Sequence, residues 1–329
     1  MRIMIGDHEI LSQESIKYLG LTIDSRLSYK HHLLAVSDKA EKINGALTRI
    51  LPNIGGPQGE RRRLISTVVD SVVLYAAPIW AEAKNCHIKP IAQVRRRSTL
   101  RVACAYRTVS EDAVNVIAGK LPIDIQAKEY KRLYSVQGAK PSLEDKQQER
   151  ARSITEWQQR WERSLNGRWT YTLIPRVEEW LKRRHGEIDF FLTQILTNHG
   201  CFLEYLHRFK LADSPLCPTC PNEFENAEHV TFYCGRFSEQ RQVLEQTLGH
   251  RLTAGCLVTD MCESSTNWDA VKTYATNVIL QLQRAERERR LIQRQEQLQS
   301  QTPRLRQQLL HWPSRLRVSV AGSPTNVPT

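Results

Sequence analysis

The sequence predicts a mainly α-helical protein with a short amino-terminal β element. Apolar residues recur at intervals of three and four through much of the chain, which is the period of a helix buried on one face. Near the start, residues 16–23 (IKYLGLTI) instead have the composition of a strand, and a strand needs partners. A short strand pair followed by helices is therefore the predicted order.

The first helices are predicted where the helical spacing is continuous. Pro52, Pro78 and Gly119 mark ends of these stretches, because proline and glycine interrupt helices. Glu111 and Asp112 suit the amino end of the fourth helix, where negative charge is favoured. The predicted helices in this part of the chain are 37–51, 60–77, 91–105 and 110–118.

Residues 141–212 are predicted to form a Trp-rich helical region. Its start is polar and is interpreted as a linker or a solvated helix start. Trp157 and Trp161 are four residues apart and therefore share one helix face. Packing in the core is the favoured interpretation of these side chains, and a platform for stacking bases is the alternative.

The carboxy-terminal third is predicted to be helical and increasingly basic. A helix is predicted over 239–248 and a long helix over 268–300. Residues 284–317 hold nine Arg and three Glu, half of the formal charge of the chain. We expect residues 301–329 to form a basic, disordered tail, because the end is rich in Ser, Pro, Thr and Gly.

The composition favours a polyanionic partner. The chain has 329 residues, a formal charge of +12 and a pI near 9.4, which suits nucleic acid or an acidic membrane surface. No stretch approaches the roughly 20 apolar residues that span a bilayer. The predicted partners are RNA and DNA, and no membrane partner is predicted. Eight cysteines in a chain without a recognisable secretion signal indicate reduced thiols or a metal site.

Four residues have the spacing of a closed zinc site, and they define a small CCHC module over residues 213–237. The gap of two residues between the first pair lets one tight turn present two sulfurs to one ion. Because protein ligands fill all four tetrahedral positions, the predicted Zn²⁺ is structural rather than catalytic. The predicted ligands are Cys217, Cys220, His229 and Cys234.

The ligand set and the role of this module both have alternatives. Cys201, His207, Cys256 and Cys262 could each replace a ligand, although their spacings are less regular. The module could bind nucleic acid as a zinc knuckle does. It could equally act only in folding, because zinc binding supplies folding free energy directly.

Five arginines on or near the third predicted helix are candidates for contacts with nucleic acid: Arg95, Arg96, Arg97, Arg101 and Arg107. They could track phosphates or form an ordinary solvated face. The phosphate interpretation is favoured because the whole chain is basic.

No catalytic residue is assigned. A two-metal polymerase needs clustered carboxylates to hold its ions, and the sequence contains no adjacent pair of aspartates. Asp24, Asp70 and Asp124 are isolated, and we expect each to cap a turn or to face solvent.

Several segments in order resemble the region after the catalytic palm of reverse transcriptases from non-long-terminal-repeat retrotransposons. The resemblance is to the Pol polyprotein, a reverse transcriptase and endonuclease, of insect type-1 retrotransposable elements. It extends from about residue 16 to 237, and Asn198 stands where we expect a glycine. The segments are 16–32 (IKYLGLTIDSRLSYKHH), 75–80 (YAAPIW), 105–110 (AYRTVS), 118–123 (AGKLPI), the stretch with 169–170 (WT) and 194–200 (QILTNHG), together with the CCHC set.

The resemblance implies a role for each segment. Residues 1–33 correspond to the end of the palm with its primer-grip strands, 34–140 to a thumb-like helical region, and 238–300 to a helical carboxy-terminal region. The full polyproteins also carry an endonuclease, fingers and a palm with paired aspartates. We therefore expect a carboxy-terminal fragment that is inactive alone, with Mg²⁺ needed only by the missing catalytic domains.

The predicted function is to supply RNA, DNA and zinc binding for target-primed reverse transcription, within an RNA-directed DNA polymerase and endonuclease polyprotein. The resemblance implies an intracellular, nuclear location, and the oligomeric state is not predicted. The alternative is a stand-alone zinc-dependent nucleic-acid-binding protein derived from such an element, without enzymatic activity. A third hypothesis is a decayed, non-functional copy.

Overall fold

The computed structural model describes residues 2–11, 13–136 and 140–310, which are mainly α-helical after a short β-rich start. This confirms the predicted fold class at the level of helices and an amino-terminal β element. The β element consists of two separate antiparallel hairpins, in which β1 pairs with β2 and β3 with β4. The strands are β1 (Arg2–Ile5), β2 (His8–Leu11), β3 (Ser15–Tyr18) and β4 (Leu21–Asp24).

The prediction of one continuous strand over residues 16–23 was wrong. The chain reverses at Leu19 and Gly20, whose φ angles are 46° and 81°. Two successive residues with positive φ form the kind of tight turn that joins hairpin strands. The apolar run that suggested one strand is therefore folded back on itself, and Ile16 pairs with Ile23.

The first seven helices form the amino-terminal half. The structure confirms helices in all four predicted stretches, although several boundaries differ. Pro78 lies in the first turn of a short helix, where proline is tolerated. The helices are α1 (Lys30–Ile50), α2 (Gly59–Val73), α3 (Ala77–Trp80), α4 (Asn85–Val102), α5 (Glu111–Ala118), α6 (Ile123–Tyr134) and α7 (Leu143–Arg163).

Helix α1 begins seven residues earlier than predicted because a carboxylate organises the preceding turn. Asp24 accepts hydrogen bonds from the backbone N–H groups of Arg26, Ser28 and Tyr29 at 3.1, 3.0 and 2.8 Å. These bonds lead the chain from β4 directly into the helix. The expectation that Asp24 caps a turn is confirmed.

The described part of the second half contains seven more α-helices, one π-helical turn and one 3₁₀ turn. A π-helical turn covers His229–Tyr233 and a 3₁₀ turn covers Gly235–Phe237. The helices are α8 (Arg168–Leu173), α9 (Val177–Lys182), α10 (Phe190–Thr197), α11 (Leu203–Arg208), α12 (Ser238–Leu248), α13 (Leu257–Glu263) and α14 (Ser265–Leu310). Helix α14 runs ten residues into the segment predicted to be disordered, and residues 311–329 lie outside the described residues.

Apolar side chains of α1, α2, α3, α4 and α6 form one core. Its largest member is Trp80, which is fully buried and donates its indole N–H to the carbonyl of Tyr75 at 2.8 Å. Leu33, Val69 and Ile91 are equally inaccessible. This core sets the spacing between α1 and α4, and the cleft described below lies between these helices.

Tryptophans from α7, α9 and α14 are packed in the interior. Trp157 and Trp161 on α7 and Trp180 on α9 are all at most 2% exposed. Trp180 and Trp268 lie with ring centroids 5.7 Å apart, and the Arg183 guanidinium sits 3.8 Å from the Trp180 ring centre. Burial lowers the pKa of Arg183 to about 10.

The described residues form two compact units, the first ending at Leu280 and the second beginning at Gln281. In the second unit, Glu286 accepts hydrogen bonds from Arg289 and Arg290 on the next turn of α14. The boundaries of the six segments into which the sequence analysis divides the chain stay predictions. No helix in the described part of the chain is long and apolar enough to cross a membrane.

Candidate metal centre and basic cleft

The first two predicted zinc ligands lie in a tight loop. An isolated antiparallel bridge joins Leu216 to Phe224, and the Cys217 backbone N–H donates to the carbonyl of Glu223 at 2.7 Å. Pro215 and Pro218 restrict the backbone around this loop. The loop therefore presents the sulfurs of Cys217 and Cys220 on the same side.

The second ligand pair comes from the π-helical turn. The Asn226 side chain accepts the His229 backbone N–H at 2.9 Å and thereby starts the turn. The Cys234 N–H then donates to the carbonyl of His229 at 2.7 Å. This five-residue backbone bond closes the turn, so a gap of four residues brings the imidazole and the thiol to one point.

The four predicted ligands form one cluster, with donor atoms all within 4.8 Å of one another. The Cys234 sulfur lies 3.8 Å from that of Cys217 and 3.9 Å from that of Cys220. Tetrahedral Zn–S bonds of about 2.3 Å place sulfurs about 3.8 Å apart. The His229 Nε2 atom is buried and has no hydrogen-bond partner, as expected of a nitrogen that binds a metal.

Nearby groups set the charge of the ligands. Burial raises the pKa of the Cys234 thiol against the opposing effect of Arg236. The Gly235 N–H lowers the pKa of Cys220, chiefly by donating a hydrogen bond to its sulfur. Burial lowers the pKa of His229 and so favours the neutral imidazole that metals bind. The residues present therefore fit Zn²⁺.

An outer pair of charged residues was missed from the sequence. The Arg236 guanidinium lies 3.7 Å from the Cys217 sulfur and forms an ion pair with Glu225, which is 2% exposed. No spacing rule marks such a pair in advance, because the two residues meet only when the loop closes. None of the four alternative ligands considered from the sequence belongs to this cluster.

The cluster is tied to the rest of the first unit. The Tyr274 hydroxyl on α14 donates to the carbonyl of Thr231 at 2.7 Å, and burial raises the pKa of this tyrosine to about 12. The Asn198 side chain accepts the Ala227 N–H at 2.8 Å. Asn198 has a φ of 56°, a conformation that favours glycine or asparagine.

Four of the five candidate arginines line one cleft of about 650 Å³ beside α1 and α4: Arg96, Arg97, Arg101 and Arg107. The Arg97 side chain is 58% exposed and pairs with Glu41, which also lines the cleft. Arg101 donates to the Asn53 side chain at 3.2 Å. Arg96 is half-buried and donates to the carbonyl of Arg107 at 2.8 Å, which holds the loop after α4.

Two aromatic rings complete the cleft wall. Tyr106 and Phe190 lie with ring centroids 5.4 Å apart. Cation and aromatic groups are thus present on one concave surface. The sequence did not identify Phe190 as part of it, because this residue lies more than eighty positions from the arginines and begins α10.

Arg95 occupies a different environment from the other four arginines. It is 3% exposed and donates to the Asp70 carboxylate at 2.9 Å and to the Gln126 side chain at 2.7 Å. Lys120 approaches the other oxygen of Asp70 at 2.7 Å. This placement leaves Arg95 no exposed surface for a phosphate, so it is not part of the cleft.

The expectation that Asp70 and Asp124 cap turns or face solvent was wrong. Asp70 lies between Arg95 and Lys120 in the interior. Asp124 forms a bidentate ion pair with Arg160, in which the Arg160 Nη1 atom lies 2.9 Å from Asp124 Oδ1. Each carboxylate therefore neutralises buried or half-buried cations.

The chain is homologous to proteins of retrotransposable elements. Its relatives include Pol polyproteins of the type-1 element R1. A 115 kDa protein in R1DM of Drosophila melanogaster is 27% identical over 251 residues, which are 70% of this chain and 24% of that protein.

Two retrovirus-related Pol polyproteins of Nasonia vitripennis align with a larger share of this chain. That of element R1 4 is 26% identical over 294 residues, 84% of this chain and 74% of the relative. That of element R1 3 is 25% identical over 283 residues, which are 76% of this chain and 71% of the relative. The chain thus spans about a quarter of the Drosophila protein. No protein-family model and no solved structure matches it.

Proposed function

We propose that this chain is the part of a retrotransposon Pol polyprotein that holds RNA or DNA during target-primed reverse transcription. The observation that carries the proposal is the cleft in which Arg96, Arg97, Arg101 and Arg107 gather. Arginine binds phosphate with several donors in a fixed geometry. A concave surface also places these charges against successive phosphates of one strand.

Within the proposed interface the cleft residues have different tasks. Arg97, Arg101 and Arg107 contact phosphates, whereas Arg96 fixes the loop that carries Arg107. Tyr106 and Phe190 provide surfaces on which a base or sugar packs. The net charge of +12 raises the local concentration of a polyanion around the cleft.

We propose that Zn²⁺ has a structural role, held by Cys217, Cys220, His229 and Cys234. The donor set is closed, and its surroundings are packed against the body of the protein. The ion then orders the second half of the first unit, while nucleic acid binds mainly at the cleft. Polymerase and endonuclease chemistry, with its Mg²⁺, belongs to other parts of the full polyprotein, and chromosomal targets imply a nuclear location.

The test measures binding of labelled single-stranded RNA and duplex DNA by anisotropy over a range of salt concentrations. We expect Arg97→Gln with Arg101→Gln to weaken binding about tenfold or more. For duplex DNA, the salt dependence falls by about 0.9 per lost phosphate contact. The matched control is Arg152→Gln with Arg176→Gln, which removes the same charge from exposed ion pairs outside the cleft.

A third variant tests the cleft by gain of binding. Glu41 competes with phosphate for Arg97, so Glu41→Gln is expected to strengthen binding. Equal losses in the cleft and control double variants would mean that bulk charge alone attracts nucleic acid. Unchanged binding in the cleft variant would also contradict the proposal.

A further inference from the structure

A second group of ligand atoms lies outside the CCHC cluster. Donor atoms of His250, Cys256 and Asp260 are all within 4.8 Å of one another. Helix α12 ends at Leu248, the loop to α13 carries His250, and Cys256 immediately precedes α13. Cys256 and Asp260 are four residues apart, so the start of a helix turns both towards the same side.

The histidine has the orientation of a metal ligand. Its Nδ1 atom lies 3.0 Å from the carbonyl of Arg251, which can only accept a hydrogen bond. Nδ1 therefore carries a proton, and in the neutral imidazole Nε2 then presents a lone pair. Histidines that bind metals are typically held in this way, with the second ring nitrogen donating to a carbonyl or carboxylate.

That lone pair faces a carboxylate oxygen. The His250 Nε2 atom lies 3.1 Å from Asp260 Oδ1, so a cation is needed between two groups that both accept hydrogen bonds. The cation is either a proton on the imidazole or a metal ion. Zinc bonds of about 2.0 Å to nitrogen and oxygen place these atoms about 3.3 Å apart in tetrahedral geometry.

The aspartate provides an independent observation. Asp260 is 4% exposed, and its Oδ2 atom is buried without any hydrogen-bond partner. Leaving a buried carboxylate oxygen unpaired is unfavourable by about 1–3 kcal/mol or more. A proton on His250 pairs with Oδ1 and leaves Oδ2 unpaired, whereas a metal ion bound by both carboxylate oxygens would satisfy both.

The cysteine completes a mixed donor set. Its sulfur accepts hydrogen bonds from the N–H and the hydroxyl of Thr253, both at 3.3 Å, and lies 4.0 Å from the His250 Nδ1 atom. As a thiol, Cys256 has the Thr253 carbonyl at 3.5 Å as an acceptor, so metal binding would replace the proton on sulfur.

We propose that His250, Cys256 and Asp260 bind a second divalent cation of the zinc class. One sulfur, one nitrogen and one oxygen donor suit Zn²⁺ or Co²⁺ better than Mg²⁺ or Ca²⁺, which prefer oxygen alone. The His250 side chain is 46% exposed, so the site opens to solvent. Three protein ligands leave a fourth position for water or for a group of a bound molecule.

The test titrates the full metal-depleted chain with Zn²⁺ and with Co²⁺, and measures metal content and the absorption of bound cobalt. We expect a second equivalent beyond the CCHC ion, with a cobalt spectrum of fewer thiolate ligands. His250→Ala and Cys256→Ser should each lower the affinity of this equivalent at least tenfold and leave the first in place. The matched control is Cys262→Ser, on the same helix but outside the group.

His250→Ala decides the question if Cys256→Ser fails to fold, because His250 is half-exposed. Saturation of the wild-type chain at one ion would overturn the proposal and leave a hydrogen-bonded imidazolium–carboxylate pair. Retention of both ions in His250→Ala and Cys256→Ser would also overturn it. Because the readout is metal binding alone, neither result depends on whether the cleft binds nucleic acid.

Discussion

Cys234 links the metal cluster to the core of the first unit. Its side chain is fully buried, its sulfur lies near both other thiols, and its carbonyl accepts a hydrogen bond from Arg241 at 3.2 Å. Without a metal, three buried or half-buried thiols and an unpaired imidazole nitrogen would share this space. The proposed Zn²⁺ would therefore stabilise this part of the protein.

Cys234→Ser is expected to abolish zinc binding at the CCHC cluster and to lower the free energy of unfolding. The loss should be on the order of 4 kcal/mol, which is reached when a bound metal is lost. Thermal unfolding with and without a chelator measures the effect, and Cys86→Ser, at an exposed cysteine, is the control. A chelator that leaves the wild-type melting temperature unchanged would contradict a structural role for zinc.

Asp70 supplies the negative charge that pairs with two buried cations, Arg95 and Lys120. Burial alone would raise the pKa of Asp70, but the charges of Arg95 and Lys120 outweigh burial and hold the pKa below its ordinary value. A carboxylate with a lowered folded-state pKa stabilises the fold above its unfolded pKa of about 3.9. That contribution is lost as the pH falls through the folded-state pKa.

Asp70→Asn should destabilise the protein by about 3 kcal/mol at neutral pH, because it leaves Arg95 and Lys120 buried without a counter-charge. It should also flatten the fall in stability below about pH 4. Urea unfolding as a function of pH tests both effects. Asp38→Asn, on the exposed face of α1, is expected to change stability by less than about 0.5 kcal/mol.

At the scale of elements, the contact between the loop after α9 and the start of α14 depends on one glycine. Gly186 has a φ of 84°, and a Cβ atom there would lie 2.1 Å from the Trp268 indole. The same indole packs on Trp180 and near Arg183. The close approach allows the first turn of α14 to pack against the Trp-containing helices.

Gly186→Ala is expected to destabilise the fold by roughly 2–4 kcal/mol, the sum of a strained backbone and overlap with an indole ring. Gly249→Ala is the matched control, because Gly249 has a φ of 80° and nothing within 4 Å of its added Cβ. The control should lose only about 1 kcal/mol. Equal losses in chemical unfolding would show that close packing against Trp268 contributes nothing.

At the scale of the whole molecule, positive charge is distributed between the cleft and the second unit. Residues 281–329 contain nine Arg and three Glu, so they hold half of the formal charge. On α14, Arg284, Arg287 and Arg294 are exposed. Exposed charges on a single helix attract a polyanion at long range but do not surround it.

Replacing Arg284, Arg287 and Arg294 with Gln should therefore weaken binding of single-stranded RNA less than the double replacement of Arg97 and Arg101. The α14 variant loses three positive charges and the cleft variant loses two. If only the number of charges mattered, the α14 variant would therefore bind RNA more weakly than the cleft variant. Anisotropy titrations at low and at physiological salt decide between them. A larger effect of the α14 variant would move the proposed interface to the second unit.

Local patterns along the chain predicted much of the fold and all four members of the CCHC cluster. Helical periodicity identified the stretches that contain α1, α2, α4 and α5, because a buried face imposes its period on the sequence itself. The four ligands lie within eighteen residues, so their spacing constrains their geometry. The hairpin turn at Leu19 and Gly20 was not predicted because apolar residues continue through it.

Only the tertiary structure decided which polar residues face solvent. Arg95 and Arg96 are neighbours in sequence, yet one is buried against Asp70 and the other holds a surface loop. Composition assigns both the same charge, and the burial of Arg95 depends on residues that arrive from α2 and α6. His250, Cys256 and Asp260 are close in sequence, but the imidazole reaches the other two because the loop between α12 and α13 folds back, and helical periodicity does not predict the path of such a loop.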